Sequence, residues 1–78
     1  MDIDALLLKV EEKYKNQPYS TIDGLKIEFD KQWVHLRRSN TEPIIRIYSE
    51  ADSEAVANSL ANKIIADIKE ILNHSLAH

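Results

Sequence analysis

Seven consecutive residues, Arg37-Arg38-Ser39-Asn40-Thr41-Glu42-Pro43, gather two guanidinium groups, two hydroxyls and an amide. Arg46 lies just beyond. Three of the ten basic residues thus fall within ten positions of a chain whose net charge is −3. A phosphate dianion calls for this set. Arg offers a bidentate fork, and Ser, Thr and Asn offer short-reach donors. A sharply turning loop can aim successive backbone N–H groups at one anion. Asn40 tolerates the left-handed backbone such a turn requires. On residue types alone, a solvated polar turn carrying a surface Arg pair fits equally well. Arg38 is read as solvent-facing.

Other residues with chemical potential are weaker. His74 and His78 stand four apart at the end of a helical pattern, a spacing that can place two imidazoles on one metal. No third ligand accompanies them, so they read as a fraying terminus. His35 reads as a sheet-surface residue. Trp33 could stack on a sugar ring but is expected to pack against a helix or a partner domain. Lys26 and Glu28 read as a solvated pair. The Asn73-His74-Ser75 sequon carries nothing without a secretory leader.

The composition narrows the classes. Gly24 is the single glycine, which excludes a glycine-rich dinucleotide or Walker loop. With no cysteine there is no thiol chemistry, disulfide or Cys-based metal site. The acidic balance argues against a nucleic-acid partner, which wants a basic field. No apolar run is long enough to span a membrane. At 78 residues the chain suits one small domain, expected in the cytoplasm.

The elements that must hold the Arg-Ser-Asn-Thr stretch follow from periodicity. Ile3, Leu6, Leu7, Val10 and Tyr14 share one helical face. Asp2 or Asp4 caps that helix, and Asn16-Gln17-Pro18 ends it. Leu25 to Phe29 alternates apolar and charged residues, as a half-buried strand does. Asp30-Lys31-Gln32 is a turn, Trp33 to Arg37 a second strand, and Ile44 to Ser49 a third. Spacers this short favour antiparallel pairing. Val56, Leu60, Ile64, Ile68 and Leu72 recur every four residues along a long closing helix capped by Asp52 or Ser53. The order α-β-β-β-α predicts an α+β domain, an antiparallel sheet of three to four strands with both helices on one face. The opposite face carries Lys26, Glu28, Trp33, His35 and Arg37, left to water or to something absent from the chain.

Three stretches together carry a family resemblance: Thr21-Ile22-Asp23-Gly24, Trp33-Val34-His35-Leu36-Arg37, and Ser39-Asn40-Thr41-Glu42-Pro43-Ile44-Ile45-Arg46-Ile47-Tyr48, closing on Glu50-Ala51. This resembles the C-terminal (fourth) domain of the α-D-phosphohexomutases, most closely the phosphoglucomutase/phosphomannomutase branch. The resemblance implies a TATA-binding-protein-like fold. It implies that residues 1–78 are a single domain, the C-terminal phosphate-binding domain of a larger enzyme. It also implies that Arg37, Ser39, Asn40 and Thr41 contact the non-reacting phosphate of a hexose phosphate, with Glu42 and Pro43 shaping the loop. Arg38 departs from the Pro or small residue usual there. Asn40 leans away from the phosphoglucosamine mutases.

The family's phosphoserine loop, of Thr-(Ala or Gly)-Ser-His-Asn-Pro type, does not occur in these residues. Neither does its Asp-x-Asp-x-Asp-Arg metal loop. Mg²⁺ is therefore implied for the parent enzyme, and neither a catalytic residue nor a metal ligand is expected here. The partners implied are the hexose phosphate and the other domains of the parent. A different class of function is a non-catalytic sheet-face module that stacks RNA or a regulatory small ligand on Trp33 and Tyr48. A dimerisation domain is a third.

Overall fold

A computed structural model describes residues 3–39 and 44–76, with side chains through residue 73. Helix α1 runs Ile3–Lys13 and helix α2 runs Glu54–Leu76. Between them lie strands β1 (Tyr19–Ser20), β2 (Leu25–Phe29), β3 (Gln32–Arg38) and β4 (Ile45–Glu50). The sheet is antiparallel, with spatial order β1-β2-β3-β4. The α+β architecture is as expected. The additional strand is β1, whose two residues are too few to show any period.

Alternation in β2 and β3 sends Leu25, Ile27, Val34 and Leu36 into the interior, where each is at most 1% exposed. Val10 of α1, Tyr14 just past its end, and Leu60 and Ile64 of α2 close over them, so both helices cover one face of the sheet. Each such fully buried aliphatic chain contributes about 1.5–3 kcal/mol relative to exposure. Phe29 meets the Tyr14 ring edge-on, 5.8 Å between centroids. Ser53 caps α2: its hydroxyl accepts from the Val56 amide at 3.2 Å, and its carbonyl accepts from the Ala57 amide at 3.0 Å. That cap satisfies donors a helix start leaves without partners. At the other helix, Asp4 lies in the first turn of α1, while Asp2, the alternative cap, lies outside the described residues.

Four expectations change. Gln32 belongs to β3, and Lys31 at the β2–β3 turn takes φ 61°. Trp33 faces away from the helices, and the Lys26 ammonium sits over its ring at 4.9 Å. Lys26 is therefore engaged with an aromatic face, where a cation is attracted by the ring quadrupole. Val56 keeps 44% of its surface exposed, because a four-residue repeat drifts around a 3.6-residue helix. Asp67 is buried within α2: the Tyr14 hydroxyl donates to its Oδ2, and Lys13 Nζ approaches its Oδ1 at 3.1 Å. This polar tie joins the two helices. Burial, and then the bond to Asp67, push the Tyr14 phenol well above its ordinary range. The Lys13 ammonium is also raised, chiefly by its hydrogen bond to Asp67.

The described part of the closing helix has no stretch long and apolar enough to cross a membrane, nor has α1. His78 and the side chain of His74 lie outside the described residues, as does any metal role for them.

Candidate functional site

The candidate site lies at the end of the sheet where β3 hands over to β4. Arg37 and Arg38 are the last residues of β3. The Ser39 amide donates to the Ile44 carbonyl at 3.0 Å, which closes the neck of the connecting loop. Ser39 itself is only 8% exposed. The expected phosphate contacts Asn40 and Thr41, and the loop-shaping Glu42 and Pro43, lie outside the described residues. Of the expected contact set, Arg37 and Ser39 are therefore placed, both at this neck.

Register adds a residue that composition alone had left at the margin. Arg37 stands directly opposite Arg46 across β3–β4, and both are exposed on the outer face. Like charges in directly opposed positions destabilise a sheet. An anion held between them would offset that cost. Nothing in the linear sequence fixes this pairing, because it depends on which residues close the loop.

Arg38 alternates to the other side of the strand. Its Nη1 reaches both carboxylate oxygens of Asp4, at 3.1 and 2.9 Å, across 34 residues of sequence. It is thus tied to the first turn of α1 rather than left to solvent. Both side chains remain more than half exposed, so the pair is worth at most about 1 kcal/mol.

A second anchor comes from the turn before β2. Gly24 adopts φ +73°, and a Cβ there would overlap the Leu36 carbonyl oxygen and sit 3.3 Å from Arg37 Cα. Only glycine lets this turn lie so close to β3. Next to it, Asp23 Oδ2 lies 3.4 Å from Arg37 Nη2, and His35 Nε2 bonds the Asp23 carbonyl. Thr21 to Gly24, Arg37, Arg38, Asp4 and Leu7 line an open cleft of about 370 Å³. Ile22, at its rim, is 96% exposed.

Such a site can hold an anion. It offers forked guanidinium donors on a rigid strand, a pinned turn that orients one of them, and a loop neck closed by a backbone bond. Among the described residues no three His, Asp or Glu side chains converge. The described residues therefore do not fit a Mg²⁺ site.

The fold is an antiparallel α+β domain that presents Arg37 opposite Arg46 at a hairpin neck. Residues 2–67 match the family model described as phosphoglucomutase/phosphomannomutase, C-terminal domain. This chain belongs to that family and corresponds to its C-terminal domain. A phosphoglucomutase/phosphomannomutase of Thermococcus kodakarensis is 45% identical over 73 residues, covering 91% of this chain and 16% of its own length. A phosphoglucosamine/phosphogalactosamine mutase of Sulfurisphaera tokodaii is 48% identical over 66 residues, covering 73% of this chain and 14% of its own. A phosphomannomutase of Methanocaldococcus jannaschii is 34% identical over 63 residues, covering 81% and 14%. The chain therefore spans about a sixth of the length of these relatives.

Proposed function

We propose that this chain is the substrate-phosphate clamp of a phosphohexomutase, an enzyme that moves a phosphoryl group reversibly between the 1- and 6-positions of a hexose through a bisphosphorylated intermediate. Arg37, Ser39, Asn40 and Thr41 hold the phosphate that is not reacting, with Glu42 and Pro43 shaping the loop and Arg46 adding a second guanidinium. Such a substrate must reverse between two transfers. A distal site that takes either end converts remote binding energy into alignment at the reacting phosphate. The remaining domains of the parent enzyme supply the phosphoserine, the Mg²⁺ and the sugar contacts, in a cytoplasmic setting.

The observation that carries this reading is the Arg37–Arg46 opposition at the neck of the Ser-Asn-Thr loop. The names of the relatives agree with it in a second way. Relatives named for glucose, mannose, glucosamine and galactosamine phosphates all match this chain, at 34–48% identity over 73–91% of it. A domain that reads phosphate and leaves the sugar to others would behave so.

The test is Arg37→Ala in the full-length mutase. A charge-assisted hydrogen bond is worth about 1.5–3 kcal/mol, so kcat/KM should fall about ten- to a hundredfold. Arg37→Lys keeps the charge, loses the fork and should fall between. Arg38→Ala removes an exposed pair with Asp4 and should leave kcat/KM nearly unchanged. The opposite ranking of Arg37 and Arg38 would reject these assignments.

A further inference from the structure

We propose that His35 is a positioning residue for the phosphate clamp: it fixes the Asp23 turn, and Asp23 in turn aims the Arg37 guanidinium. The role rests on the clamp reading above and adds to it residues that touch no substrate.

The geometry is specific about direction. A carbonyl oxygen only accepts hydrogen bonds, so the contact between His35 Nε2 and the Asp23 carbonyl requires a hydrogen on Nε2. The neutral Nε2–H tautomer and the imidazolium both supply it. His35 and Arg37 are two positions apart on β3, and their side chains therefore share the outer face. Gly24 intervenes on the neighbouring chain with no side chain, and its backbone lies against Leu36 and Arg37. The turn is thus pinned twice, by close backbone approach at Gly24 and by the imidazole at Asp23. With the backbone held, the Asp23 carboxylate sits 3.4 Å from Arg37 Nη2. An arginine half exposed on a sheet surface otherwise samples many rotamers, and the Asp23 carboxylate biases it toward those that face the turn.

His35 makes no contribution to the core that would explain it otherwise. Its strand neighbours are Lys26 on β2 and Tyr48 on β4. Arg37 on its own strand and Asp23 in the turn flank it, and Glu28, Glu50 and Arg46 lie diagonally on the same face. Cations and carboxylates both surround the ring, so charge alone does not single out an imidazole here. The Asp23 carbonyl is the partner that does.

The experiment uses the 78-residue chain, inorganic phosphate as the probe, and NMR of backbone amides and of the Arg37 Nε–H. In wild type without phosphate, His35 should show the carbon and nitrogen shifts of an Nε2–H ring, and Arg37 Nε–H should give a rigid heteronuclear NOE. His35→Phe keeps the ring volume and removes the donor. It should lower that NOE and weaken phosphate binding about three- to tenfold, the worth of one net hydrogen bond. His35→Gln places an amide nitrogen near the position of Nε2 and should restore both readouts, a rescue that a packing role would not give. Asp23→Asn should weaken binding as well. Tighter binding by Asp23→Asn would mean that Asp23 competes with the anion, and would overturn the proposal. An Nδ1–H tautomer in the free chain would overturn it too, as would a His35→Phe chain with wild-type NOE and affinity. If His35→Phe fails to fold, the wild-type tautomer, Asp23→Asn and His35→Gln still decide. A wild-type Arg37 that ignores phosphate removes the clamp reading and this role with it. A responsive wild type with an indifferent His35→Phe overturns this role alone.

Discussion

Replacing Gly24 with Ala puts the strongest demand on the site's scaffold. The residue takes φ +73°, where a side chain costs about 1–2 kcal/mol. The added Cβ also overlaps the Leu36 carbonyl oxygen, a backbone atom that cannot swing aside. The turn must therefore lift from β3. That breaks the His35 bond to Asp23, worth about 1 kcal/mol net. Together the loss is about 2–3 kcal/mol. At about 4–8 °C per kcal/mol for a domain of this size, the melting temperature should fall by roughly 10–20 °C. Urea unfolding followed by circular dichroism measures the loss, and the half-buried Trp33 gives an independent fluorescence signal. Lys31→Gly is the matched control. Lys31 also has positive φ, at 61°, so removing its side chain should leave stability unchanged or raise it by up to about 1 kcal/mol. A Gly24→Ala chain within about 0.5 kcal/mol of wild type, the usual span of an inconsequential surface change, would refute the close approach of turn and strand.

The remaining expectations concern the polar tie between the helices. Asp67→Ala strands the buried Tyr14 hydroxyl and should cost about 1–3 kcal/mol. Tyr14→Phe removes the donor and leaves Asp67 its Lys13 partner, so it should cost less; urea midpoints of the two variants give the ranking. Tyr14 and Lys13 both hold their protons more tightly in the folded chain. Their stabilising contribution is therefore complete below the unfolded values, near pH 10, and is lost as pH rises through the folded ones. The urea midpoint should decline above about pH 10, and Tyr14→Phe should flatten that decline.

What the sequence disclosed was periodic or local. The apolar face of α1, the alternation of β2 and β3 and the cap at Ser53 each depend on residues a few positions apart, and each is found. The loop at Arg37 stood out because basic residues cluster in an acidic chain. The rest depends on pairing across distance. Arg46 joins Arg37 only through strand register. Asp4 meets Arg38 only when α1 packs beside the end of β3. Asp67 sits on a helix with ample polar residues, and nothing local marks it as the one that turns inward to Tyr14. His35 alternated onto the outer face as expected, but its bond to Asp23 required knowing that Gly24 lets the turn close in. Alternation along β3 placed Trp33 on the outer face, but the Lys26 ammonium over its ring depends on the diagonal register with β2.

A phosphate titration of the 78-residue chain, read at every backbone amide, tests the clamp most directly. The shifts should concentrate at Arg37, Ser39, Asn40, Thr41 and Arg46. They should saturate near the millimolar range, which corresponds to roughly −4 kcal/mol. Small linear drifts spread over the whole surface, or a saturating response centred on Trp33 and Tyr48 with the loop silent, would contradict the assignment of this domain as a phosphate clamp.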